Sequence, residues 1–231
     1  MNCSKIVALV TLAAATALTL SACGGATSTS QPAANTSSSP SASAAAPAPD
    51  WYAKTYGTFA PITQSGTSAA VIKLPAGVKA GIISSTYAGA DNFSIQGLDA
   101  SNTDTTDLVV NTIGAYKGTG VFGLSTLGGA DASLQVTADA AWTISISPID
   151  SATALPPSGT GDGVYKYDGK AGTWTIGNTG NGGNFVVEQY ASSNSMPNLA
   201  VNTIGNYTGT VPSQAGPSVV VVNSDGTWTI K

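Results

Sequence analysis

The sequence predicts an all-β protein: two tandem, small antiparallel β-sandwich modules, jelly-roll-like, behind a signal peptide and a disordered linker. Three observations carry this expectation. Short runs such as AWTISISPI and NFVVEQY alternate apolar and polar residues, the period of a strand with one face buried and one wet. Turn sequences separate the runs, among them Leu74-Pro75-Ala76-Gly77, Gly128-Gly129-Ala130-Asp131, Asp168-Gly169 and Ser224-Asp225-Gly226. The runs then recur in the same order later in the chain.

Composition points the same way. Only 9% of the 231 residues are charged, all eight basic residues are lysine, histidine is absent and Glu188 is the single glutamate. A helical chain would be rich in Glu, Lys, Leu and Arg. The formal charge is −4. Without a basic stripe the chain is not built for nucleic acid or for an anionic lipid surface.

Residues 1–22 read as a targeting segment. Met1 to Lys5 carries one positive charge, and Ile6 to Leu20 is apolar, shorter than the ~20 residues of a membrane-spanning helix and fitting a signal-peptide core. Leu20-Ser21-Ala22-Cys23 follows and resembles the lipobox of bacterial lipoproteins. That resemblance implies cleavage before Cys23, diacylglyceryl transfer to its thiol, acylation of the new N-terminus and anchoring at the extracytoplasmic face of the cell membrane. Two or three acyl chains hold a protein stably where one does not. The alternative is an ordinary signal peptide cut nearby, with Cys23 incidental. Cys3 is the only other cysteine, so the folded part has no disulfide framework.

Residues 23–57 read as the linker. Gly24 to Asp50 holds no bulky apolar residue and cannot bury enough surface to offset chain entropy. At its end Trp51, Tyr52, Tyr56 and Phe59 either dock on the first module as an edge strand or offer an aromatic face to a ligand.

The modules are expected at 58–150 and 156–231. Ser65-Gly66-Thr67 matches Ser158-Gly159-Thr160, and Val71 to Leu74 matches Val164 to Tyr167. Asn92-Phe93-Ser94-Ile95 matches Asn184-Phe185-Val186-Val187, and Asp139 to Ile144 matches Asp225 to Ile230. Six or seven strands per copy are expected, with Trp142, Ile144, Ile146, Leu134, Val136, Trp174, Ile176, Phe185 and Val187 facing inward. GTGDGVYKYDGKAG at 159–172 reads as a glycine-rich loop, with no helix after it to hold a phosphate.

The best-kept stretch is LVVNTIGAYKGTG at 108–120 against LAVNTIGNYTGTV at 199–211. Ile113 and Ile204 are expected in the core, and Gly114 and Gly205 at a turn or bulge. Tyr116 and Tyr207 serve as half-polar plugs, and Asn111 and Asn202 as strand-end hydrogen-bonding groups. Alternatively Asn, Tyr and Thr line a ligand site in each copy. The repeated pattern of an NF strand, LvNtiGxYxGT and a GxWTI strand resembles tandem modules of secreted proteins and lipoproteins of Gram-positive bacteria, particularly actinobacteria. That resemblance spans Ser65 to Ile230 and implies a β-sandwich and an extracellular location. It implies no particular activity.

Catalytic chemistry is poorly supplied. Without histidine, and with Cys23 the one cysteine left after cleavage, neither a serine nor a cysteine nucleophile system can be assembled. No cofactor is expected, nor zinc. A glycoside hydrolase needs two facing carboxylates, for which Asp162, Asp168 and Glu188 are the candidates. Asp99, Asp104 and Asp107 form a weak calcium candidate in a loop that lacks the EF-hand glycine and closing glutamate. The expected function is therefore non-catalytic: a lipid-anchored cell-surface protein whose sandwiches bind a glycan, a cell-wall polymer or a protein, with Trp51, Tyr52, Tyr116, Tyr207, Asn111 and Asn202 as candidate contacts. A carbohydrate hydrolase and a structural spacer are the alternatives.

Overall fold

The computed structural model describes residues 51–125, 129–191 and 196–231. The signal peptide, Cys23, most of the linker, Gly128 and Ser192–Ser195 lie outside the described residues. The described chain is almost entirely antiparallel β structure. It opens with helix α1 (Trp51–Tyr56), followed by β1 (Ile62–Gly66), β2 (Ala70–Lys73), β3 (Gly81–Tyr87), β4 (Asn92–Leu98), β5 (Asp104–Ile113), β6 (Tyr116–Phe122), β7 (Ser133–Thr137) and β8 (Trp142–Ser147). A 3₁₀ turn at Ile149–Ser151 leads to β9 (Thr153–Ala154), β10 (Ser158–Thr160), β11 (Gly163–Tyr167), β12 (Gly172–Thr179), β13 (Asn184–Ala191), β14 (Asn198–Ile204), β15 (Tyr207–Ser213), β16 (Ser218–Ser224) and β17 (Thr227–Ile230).

The first eight strands form two four-stranded sheets, β1-β8-β3-β6 and β2-β7-β4-β5, the strand order of a jelly roll. The second module repeats it as β10-β17-β12-β15 and β14-β13-β16-β11, with β9 added parallel to β11. Each module thus has eight strands of its own, more than six or seven. Ile62–Gly66 and Ser158–Thr160 are short polar edge strands that carry little apolar signal. Residues 163–167, expected as loop, are strand β11, because Val164 and Tyr165 pack inside the protein.

Period-two burial sets the cores. Ile72, Ile83, Phe93, Ile95, Leu134, Val136, Trp142, Ile144 and Ile146 form the first, and Trp174, Ile176, Phe185, Val187, Val220, Val222 and Trp228 the second. Each module lays one tryptophan over a glycine. Trp142 sits against Gly66 and Trp228 against Gly159, and their indole N–H groups donate to Ser68 O and Gly161 O, both at 2.9 Å. A side chain at either glycine would collide with the ring.

Two expectations are corrected. Ile113 and Ile204 are 81% and 72% exposed, not in the core. A bulge shifts the register where β4 meets β5 and where β13 meets β14, so Val110 and Val201 take the inward places. Three residues on, strand parity turns both isoleucines outward. The linker, expected to stay disordered to residue 57, is helical from Trp51 to Tyr56, and docks as a helix rather than as an edge strand. Tyr52 is buried in a third apolar cluster with Ala80 and Ile82 of the first module, Ile149 and Ala152 of the connection, and Val164 and Val219 of the second. Its hydroxyl donates to Asp168 Oδ1 at 2.8 Å and lies 3.2 Å from the Ser218 carbonyl. Helix α1 is therefore a wedge between the modules.

Replacing Tyr52 by alanine should cost about 3 kcal/mol of unfolding free energy, and by phenylalanine about 1 kcal/mol. Urea denaturation followed by tryptophan fluorescence measures both.

Candidate functional site

A concave surface lies where the two modules meet. Its centre is a clasp: Tyr116 at the start of β6 donates its hydroxyl to Asp162 Oδ2 at 2.6 Å. Tyr116 can fold along its own strand because Gly118, two residues on, has no side chain there; a Cβ would fall on the tyrosine ring and near Asp162. Burial, then the bond to Asp162, pushes the Tyr116 hydroxyl far above its ordinary pKa. Asp162 stands between β10 and β11 after Gly161, which has φ +71°. Its Oδ1 accepts from the Ser224 amide at 2.9 Å and from Asn223 Nδ2 at 3.1 Å. With both oxygens occupied, this carboxylate is held in place.

Three hollows open around Asp162. One, of about 320 Å³, is lined by Asp107 and Leu108 from β5 and by Glu188, Tyr190 and Asn223 from the second module. The second, of about 440 Å³, holds Asn111, Thr112, Lys117, Asn184 and Asp225. The third, of about 540 Å³, is floored by Ser84, Thr86, Thr119, Thr143 and Ser145 on the outer side of the first sheet and closed by Thr160. Hydroxyls pair across this floor, Ser84 with Thr119 at 3.2 Å and Ser65 with Thr143 at 2.9 Å. Tyr190 donates to Glu188 Oε2 at 3.1 Å. Burial and that carboxylate hold the Tyr190 hydroxyl un-ionised well beyond its usual range.

The predicted residues divide. Tyr116 and Asn111 line these hollows, whereas Tyr207 and Asn202, their counterparts in the second module, line none of the three. Tyr207 packs on Phe185 with ring centres 5.9 Å apart. Tyr52 is buried and Trp51 stands edge-on to it, so neither forms an open aromatic face. Of the carboxylates named for hydrolysis, Asp162 and Glu188 share a hollow, while Asp168 holds Tyr52 elsewhere. Asp99, Asp104 and Asp107 do not converge. Asp99 caps its own turn, accepting from the amides of Ser101 and Thr103 at 2.8 and 2.9 Å, and Asp107 accepts from the Gly123 amide at 2.6 Å. Among the described residues no three His, Cys, Asp or Glu side chains gather as a metal-holding group.

Sequence reading missed Asp131, Tyr190 and Asn223. Asp131 is 6% exposed and sits beside Asp107 in the first module. Burial, then the neighbouring Asp107 carboxyl, pushes its pKa up to about 7. The signal for Tyr190 and Asn223 was the unbroken run Val219-Val220-Val221-Val222, which marks a strand covered on both faces.

No protein-family model and no curated protein matches the chain. Among solved structures it is similar to A223, a turret protein of Sulfolobus turreted icosahedral virus, at 12% identity over 74% of this chain and 96% of that one, with a TM-score of 0.25.

The Asp131 shift has a definite sign. An acid whose folded pKa lies above its unfolded value stabilises the fold only while protonated. With a chelator present, stability should therefore decline as pH rises from about 4 to about 7 and flatten above that. Asp131→Asn should remove this slope, measured as the thermal midpoint against pH.

Proposed function

We propose that this is a non-catalytic, extracytoplasmic protein, lipid-anchored through Cys23, that holds a glycan or cell-wall polymer in the groove around the Tyr116–Asp162 clasp. The observation that carries the reading is the lining of that groove. Ser, Thr and Asn side chains dominate it, with four carboxylates and Lys117. A sugar polymer presents matching hydroxyls along its length, and concave sites with a few fixed polar groups are where such ligands are taken. The lipobox and the linker support the location, since a tether carries the groove away from the membrane.

A hydrolase is the second reading, favoured by Asp107, Asp162 and Glu188 lining one hollow. Against it, every oxygen of Asp162 is already bound to donors of the fold. Sustained release of reducing sugar from a wall polysaccharide, stopped by Glu188→Gln, would favour the hydrolase.

The duplication supplies an internal control. Asn111→Ala should weaken retention of the full chain on cell-wall polysaccharide roughly fivefold, the loss of about one hydrogen bond. Asn202→Ala, at the matching position outside the groove, should leave retention unchanged. Equal effects, or none, would move the site elsewhere. For the anchor, Cys23→Ser should abolish incorporation of a metabolically fed fatty-acid probe and release the protein into the medium.

A further inference from the structure

The two modules fill one equivalent space differently. In the second, Gln189 is fully buried on β13 and completely bonded. Its Nε2 donates to Gln214 O at 2.9 Å and Ser218 Oγ at 3.0 Å, and its Oε1 accepts from the Gln214 amide at 2.8 Å. The first module has Gly97 at this position of β4. A Cβ on Gly97 would land on Asp131 Oδ1 and Thr105 Oγ1. Its absence lets the Asp131 carboxyl enter from the loop before β7. Thr105 Oγ1 donates to Asp131 Oδ1 at 2.6 Å. The other oxygen, Oδ2, is buried and has no donor among the described residues, and the Asp107 carboxyl is a hydrogen-bonding neighbour of Asp131. Asn198 takes the place of Asp107 in the second module.

Two neighbouring carboxylates, one of them inside the protein with an oxygen that no described donor meets, concentrate negative charge that is costly to hold away from water. We propose that Asp107, Asp131 and Thr105 Oγ1 form a calcium site of the first module, open to the groove on the Asp107 side. Calcium accepts six to eight oxygens in flexible geometry and tolerates water in the remaining positions. Two carboxylates and one hydroxyl suit the weak sites, of about 10⁻⁴–10⁻³ M, found in extracellular modules. The bound ion would pin β5 to the loop before β7 and so fix the groove wall that carries Asp107. This site is independent of whatever polymer the groove takes.

The test uses the full chain at pH 8. Adding 5 mM CaCl2 after chelation should raise the thermal midpoint by roughly 5 °C. Asp131→Asn should abolish that rise without lowering the midpoint in chelator, because an amide there can donate to Asp107. Circular dichroism confirms that the variant is folded, and Asp107→Asn gives a second reading. Asp99→Asn, in the exposed loop, should keep the full calcium response. An unchanged wild-type midpoint would overturn the proposal. So would a response that survives both Asp131→Asn and Asp107→Asn, or one that Asp99→Asn removes.

Discussion

The structure depends on one sheet being covered on both faces. In the second module β11, β16 and β13 turn one side to their own core and the other to the first module and helix α1. Val164 shows the consequence: it is 5% exposed, whereas Val71, its counterpart in the first module, is 60% exposed. Val219 and Val164 meet Ile82, Ala80 and Tyr52 in a dry cluster that spans both modules. Apolar contact of this kind is non-directional, so it alone does not fix the angle between modules. The Tyr116–Asp162 and Tyr52–Asp168 hydrogen bonds supply direction, because each reaches from a tyrosine outside the second module to a carboxylate within it.

Much of the fold was legible in the sequence because most strands keep one wet face. Trp142, Trp174, Trp228, Phe93 and Phe185 follow period two and are buried as that period requires. The reading failed where a strand departed from that condition. At Ile113 and Ile204 a bulge altered the phase, and LVVNTI has too few alternating residues to reveal it. At β11 both faces are covered, so GVYKY showed no alternation and glycines at either side suggested a loop. Helix α1 has six residues, too few for a helical period to be seen, and its stability comes from Tyr52 entering a space made by both modules. The groove was legible only in part. Asn111 and Tyr116 stood in a repeated motif, but their partners Asp162 and Asn223 come from the second module, and no local pattern links them.

The repeated motif serves two different ends. Tyr116 and Tyr207 both lie over a glycine two residues on, Gly118 and Gly209, which explains why YxG is kept in both copies: the ring covers a strand segment that has no side chain of its own. This packing role is identical in the two modules. Among the described residues Tyr116 finds an acceptor across the joint in Asp162, which stands where the first module has Ala69, and Tyr207 keeps the packing role on Phe185. A single aspartate thus converts a packing tyrosine into a joint and creates the walls of the groove.

The same divergence sets the two sides of the joint apart. The second module repeats, as β15 with Tyr207, the strand β6 and Tyr116 through which the first module meets its neighbour. Head-to-tail contacts between like modules generate open chains unless some surface breaks the series. The receiving faces of the two modules differ. Where the second module offers Val186, Tyr190 and Val221, the first has Ser94, Leu98 and Gln135, and Ala69 replaces the accepting aspartate. Duplication made the strand and the face together, and substitution on one copy of the face sets the module that receives Tyr116 apart from the one that supplies it.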